Sequence, residues 1–246
     1  MRLSIVLSFV VVLGACSPGF QPRQFSTPES LMVESERYFR LGKCTDAMLG
    51  FSFVTGQLPV RDFTAIRARF LLAECLFSQG QFLEAARQFR RVADEAPNHP
   101  LAPRALLRTA DSQRQLWSKA ELDPTFGQAA VVTYQEVMGR FPRTSVSRRA
   151  GMRVQALTEQ FAEKEYKNGL YYLRFNAYDS AILYFKSVVT EYGRTRYAPL
   201  ALVQLVAIYQ ELGYEEEETE TCQTLRRFYA DTEGVDRYCS TESQAP

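Results

Sequence analysis

"AARQFRRVADEAP", residues 85–97, sets a small residue at Ala85, an aromatic four places on at Phe89, and a proline at Pro97. Residues four apart share one face of a helix. The alanine lets a neighbouring helix come close, the aromatic ring fills the space beside it, and proline stops the helix. The spacing recurs in "AMLGFSFVTGQLP" (47–59, with Phe51), "AVVTYQEVMGRFP" (130–142, with Tyr134) and "AILYFKSVVTEYG" (181–193, with Phe185), where Gly193 takes the place of proline. One such segment would say little. Four in one register predict a chain built from a repeated helical unit.

Each unit is preceded by a second amphipathic stretch. These are "ESLMVESERYFRLGK", opened by Thr27-Pro28-Glu29, then "TAIRARFLLAECLFSQG", "PLAPRALLRTADSQRQLW" and the long "SVSRRAGMRVQALTEQFAEKEYKNGLYYLRF". A last pair, "RYAPLALVQLVAIYQELG" and "YEEEETETCQTLRRFYA", keeps the rhythm with Glu217 and Thr221 in the small and aromatic places, as a terminal repeat facing water can afford. Strand signals are nearly absent. The pattern resembles tetratricopeptide repeats. The expected fold is therefore all-α, a right-handed α-solenoid of about five helix pairs over residues 29–230, with a C-terminal tail at 231–246. Two departures interrupt it: an inserted loop at Ser118–Gln128 and an overlong helix at Ser145–Phe175.

With 29 basic and 28 acidic residues among 246, the net charge is +1, which gives no general attraction for nucleic acid or for an anionic membrane surface. The apolar run Leu3–Leu13 follows Arg2 and is about eleven residues long, too short to span a bilayer. It ends in Leu13-Gly14-Ala15-Cys16, which resembles the lipobox of bacterial lipoproteins. The resemblance implies a signal peptide at 1–15, acylation of Cys16, and, with Ser17 next, delivery to the outer membrane. Residues 16–28 then read as a flexible lipidated tether.

The stretch from Asp123 to Tyr192 carries a further resemblance. Asp123-Pro124 before a helix, the Phe141-Pro142 stop and the long helix leading to "EKEYKNGLYYLRFNAYDSAILYFKSVV" are similar to the BamD/ComL family of outer-membrane assembly lipoproteins. The family implies a non-catalytic scaffold of the β-barrel assembly machinery on the periplasmic face of the outer membrane. It implies binding to a barrel-bearing BamA-like subunit, contact with other lipoproteins of that machinery, and help in recruiting unfolded outer-membrane proteins. Tyr184 stands where the family has an arginine, so no ion pair to that subunit is carried over. The alternative is another periplasmic repeat lipoprotein, such as a pilotin for secretins or a cell-division coordinator.

Little supports catalysis. His99 is the only histidine, in the turn "APNHP", and reads as a cap or turn residue. No metal-ligand spacing or phosphate loop is present, and no cofactor is expected. Arg143, Arg148, Arg149 and Arg153 form either a docking site for an acidic partner or a solvated helix face.

Besides Cys16 there are four cysteines, an even count for an oxidising compartment: Cys44, Cys75, Cys222 and Cys239. Three pairings are open. Cys44 with Cys75 and Cys222 with Cys239 join neighbouring segments, while Cys75 and Cys222 could instead be buried apolar residues. Counting back from each small residue places Met32, Glu36 and Phe39, then Phe70, Glu74 and Phe77, on the concave face as a peptide groove. The competing reading packs them between helices.

Overall fold

The computed structural model describes residues 20–239. The expected signal peptide, the expected lipidation position Cys16 and the last seven residues lie outside the described residues. Ten long helices form five consecutive pairs: α1 (Pro28–Arg40) with α2 (Cys44–Gln57), α3 (Phe63–Ser78) with α4 (Phe82–Glu95), α5 (Ala102–Gln115) with α6 (Thr125–Arg140), α7 (Ser145–Arg174) with α8 (Tyr178–Glu191), and α9 (Tyr197–Leu212) with α10 (Glu215–Phe228). A short α11 (Val235–Tyr238) follows. Each helix packs on the next, so the pairs stack as an α-solenoid, and no strand occurs among the described residues.

Local chemistry sets the helix ends. Thr27, Asp62 and Thr144 accept backbone N–H bonds at the starts of α1, α3 and α7. Four of the five pairs turn in the same way. The turn residues Gly42, Gly80, Asn176 and Gly213 sit at φ of 73°, 75°, 54° and 70°, the left-handed region that glycine enters without a Cβ clash. The next N–H then reaches back five residues: Lys43 to Tyr38, Gln81 to Leu76, Ala177 to Tyr172 and Tyr214 to Tyr209. This Schellman turn satisfies carbonyls that the helix end would leave open. His99 caps α5 through Nδ1, which accepts from the Leu101 N–H at 3.1 Å, and burial pushes its pKa down.

The second helices bury the residues that define the repeat. Ala47/Phe51/Val54, Ala85/Phe89/Val92, Ala130/Tyr134/Val137 and Ala181/Phe185/Val188 are all fully enclosed. In α10 the places fall one residue later than expected, on Glu218, Cys222 and Leu225; Cys222 and Leu225 are buried, while Thr221 lies at the margin. With no aromatic to mark the register, the sequence offered nothing to count from.

The folded body also reaches past both expected ends. The tether is packed from Phe20 onward, with Pro22 buried in a 3-10 turn at Pro22–Gln24. The tail is packed as far as Cys239, where Val235 is buried and Gln210 donates to the Tyr238 carbonyl at 2.8 Å.

The structure joins Cys44 to Cys75, with Cα atoms 5.3 Å apart, and Cys222 to Cys239 at 5.5 Å. The first bridge ties pair one to pair two, and the second holds the tail on α10. Alkylation in denaturant without reductant is expected to label none of the four. Reduction should cost about 2–4 kcal/mol of stability for each bridge, read from denaturant melts. Labelling of all four thiols would show that neither bridge forms.

Candidate partner-docking surface

Pair three has no glycine turn. Where α5 ends, the chain runs through Leu116–Pro124 before α6 begins. The inserted loop is therefore shorter than expected, because Thr125–Gln128 already form the first turn of α6. Trp117, the only tryptophan, folds back beneath this loop and is 1% exposed. Its indole N–H donates to the Leu122 carbonyl at 3.3 Å. Gly127 makes room for it: a Cβ at that position would lie 2.0 Å from the indole ring. On the other side the ring meets Phe161 of α7, with centroids 4.4 Å apart.

The long helix completes the seat. Gln160 donates to the Trp117 carbonyl at 3.1 Å, and Lys164 to the Leu122 carbonyl at 3.1 Å. Lys167 bridges Glu121 at 2.5 Å and Glu163 at 2.7 Å. Its hydrogen bond holds the Glu121 carboxyl below the usual range, and the same contact raises the lysine. These ion pairs are exposed, and such pairs contribute about 0–1 kcal/mol. Truncating a buried tryptophan costs about 3–5 kcal/mol. The indole therefore holds the loop on α7, and the polar contacts set its register.

At 30 residues α7 is about 45 Å long, twice the length of α8. Its first half covers α6 and its second half pairs with α8. Gly169 lets the Phe185 ring approach, since a Cβ there would be 2.6 Å from it. The last turns of α7 then carry aromatics on the surface. Tyr171 and Phe175 are 56% and 64% exposed and meet edge to face at 5.1 Å. Tyr172 stacks on Tyr184 of α8 at 5.3 Å, so Tyr184 joins an aromatic cluster in place of a cation. Rings that brace one another lose little freedom when a partner covers them, which suits a protein interface.

The expected peptide groove is corrected. Met32 and Phe70 are 5% and 2% exposed and belong to the core. Phe70 packs on Phe89 at 5.3 Å and Phe39 on Phe51 at 6.3 Å. Phe77 is half-buried against Phe82 at 5.1 Å, with the Arg108 guanidinium 3.8 Å above its ring. These aromatics fill the space between paired helices, the competing reading of the same positions. Glu36 is paired to Arg67 at 2.7 Å, and Glu74 to Arg108 at 2.5 Å and Arg104 at 3.3 Å. Asp111 lies 3.8 Å from Arg153 and accepts from the Tyr134 hydroxyl at 2.6 Å. Burial, reinforced by that carboxylate, pushes the Tyr134 pKa up.

A ladder of carboxylate–arginine pairs thus links the first helix of each pair to the next from α1 to α7. Arg153, itself exposed, belongs to it through Asp111, and Arg143, Arg148 and Arg149 are exposed as well. Sequence reasoning missed both the ladder and the Trp117 seat. The signal for the seat was a lone tryptophan two residues past a helix that lacks a turn glycine. The signal for the overhang was the run Tyr171-Tyr172-Leu173-Arg174-Phe175 at a helix end.

Residues 25–225 match the sequence profile of the outer membrane lipoprotein family YfiO. The chain belongs to that family. The match runs from just before α1 into α10 and includes the loop and the long helix. Among curated proteins the chain is similar to the outer membrane protein assembly factor BamD of Caulobacter vibrioides, at 26% identity over 72% of this chain and 57% of that protein. It is also similar to BamD of Neisseria meningitidis serogroup A, at 24% over 92% and 88% of the two chains, and of Rickettsia prowazekii, at 25% over 87% and 86%. The two latter alignments extend the likeness to nearly the full length of this YfiO-family chain.

Gly127→Ala should force the indole from its seat and lower stability by about 1–3 kcal/mol, the usual cost of overpacking. Trp117→Ala should cost about 3–5 kcal/mol. Lys167→Ala should stay within about 1 kcal/mol. Urea melts of the three variants measure this, and a Lys167 effect as large as the Trp117 effect would reverse the assignment.

Proposed function

We propose that the chain is a non-catalytic scaffold for β-barrel assembly, held by acylated Cys16 on the periplasmic face of the outer membrane. It binds a BamA-like subunit, with which other lipoproteins of the machinery associate. The observation that carries this reading is the braced aromatic surface at the end of α7, Tyr171 and Phe175 beside Tyr172 and Tyr184. Exposed aromatics of that kind concentrate binding energy at protein interfaces. The kinship with proteins named as assembly factors supports the choice of partner. Unfolded outer-membrane segments are aromatic-rich strands of alternating polarity. We assign their weak capture to the solenoid surface outside the positions of the expected groove, which are taken up by packing and ion pairs.

Co-purification from detergent-solubilised membranes tests the partner. Wild type should bring down a large barrel protein of the BamA kind. Tyr171→Ala with Phe175→Ala should reduce that recovery about tenfold or more, with helicity and melting unchanged. Recovery of a secretin instead would overturn the reading. Full retention by the double variant would move the interface off α7.

A further inference from the structure

Phe20, the first described residue, is already packed. Its ring lies 4.8 Å from Tyr38 of α1 and 5.9 Å from Phe25. Gly50 of α2 leaves room for this close packing, since a Cβ there would be 1.9 Å from the Ser35 hydroxyl and 3.0 Å from the Phe20 ring. Only Ser17, Pro18 and Gly19 separate Phe20 from Cys16. Four Cα steps at full extension reach about 14 Å. That is less than half the roughly 30 Å hydrocarbon thickness of a bilayer. The folded body therefore begins close to the surface that holds the anchor.

The residues brought to that surface have the matching chemistry. Arg37 places its guanidinium 5.0 Å from the Tyr38 ring centroid, and Lys43 its ammonium at 5.6 Å. Arg23 is exposed on the turn between Phe20 and Phe25. Glu34 neutralises Arg37 through its 2.5 Å contact, so Arg23 and Lys43 are the cations that remain beside three half-buried aromatic rings. Tyrosine and phenylalanine rings flanked by arginine and lysine suit the headgroup layer, where rings sit at the interface and cations meet phosphate.

We infer that the first helix pair is seated on the anionic phospholipid headgroups of the leaflet that holds the anchor. Phe20, Phe25 and Tyr38 form the contact, with Arg23, Arg37 and Lys43 around it. The inference rests on the reading of Cys16 as acylated. It gives the solenoid a fixed end: pair one lies on the membrane, and the later pairs extend from it.

The test uses the full-length acylated protein in phosphatidylcholine vesicles with and without phosphatidylglycerol, and with lipids brominated near the headgroup. Phe20→Trp supplies a reporter beside the native Trp117. Gln24→Trp, on the exposed face of the same turn, serves as a second reporter should Phe20→Trp disturb the packing. Both reporters should be quenched in phosphatidylglycerol vesicles, while Trp117 of the wild type is spared. Arg23→Gln with Lys43→Gln should weaken the vesicle-dependent quenching about fivefold or more. Vesicle flotation without quenching of either reporter would overturn the seat and leave the anchor reading intact. Quenching indifferent to the charge variants would also overturn it. A protein that does not float at all would remove the anchor reading and this inference together.

Discussion

An alanine four places ahead of an aromatic ring lets the second helix of each pair press close to its neighbours. The ring then fills the cleft that the close approach leaves. No single pair can enclose such a face, because two helices expose as much apolar surface as they cover. Stacking is what buries it, and Phe51, Phe89, Tyr134 and Phe185 are fully enclosed where each pair packs on the next. The last pair meets water on its outer side and makes do with Cys222 and Leu225, helped by a disulfide to the tail.

That regularity makes its one interruption informative. A Schellman turn at pair three would have joined α5 to α6 like the other pairs. Instead the chain gives a buried tryptophan, a nine-residue loop and a helix of twice the usual length. The three belong together: the loop is held because Trp117 sits against Gly127 and Phe161, and α7 is long enough to receive it. The same helix then runs on and carries Tyr171 and Phe175 to the surface. A row of interchangeable units acquires a distinct face in this way.

The parts governed by nearby residues were legible in the sequence. The five pairs follow from apolar spacing and from turn signals such as Leu41-Gly42-Lys43, because the Schellman turn is a local affair of hydrogen bonds within five residues. What could not be read depends on contacts between distant residues. Whether Phe70 faces a groove or Phe89 is decided by the rotation of one helix against another, and one position of phase reverses the answer. Glu36 looked free until Arg67 reached it from the next pair. The tether looked loose because its order comes from Tyr38 and Gly50, which share no motif with it. Pair five lost its register by one residue because no ring marked it.

The loop after α5 is a fixed brace that makes pairs three and four one body. Two of its amides, Trp117 and Leu122, are bonded to the carbonyls of Arg114 and Lys119 at 3.1 and 3.2 Å beneath the contacts from α7. Hydrogen exchange resolved to single amides reports on them directly. Both should exchange on the timescale of the flanking helices α5 and α6. Exchange of Trp117 and Leu122 at the rate of an unstructured peptide, while α5 and α6 stay protected, would contradict it.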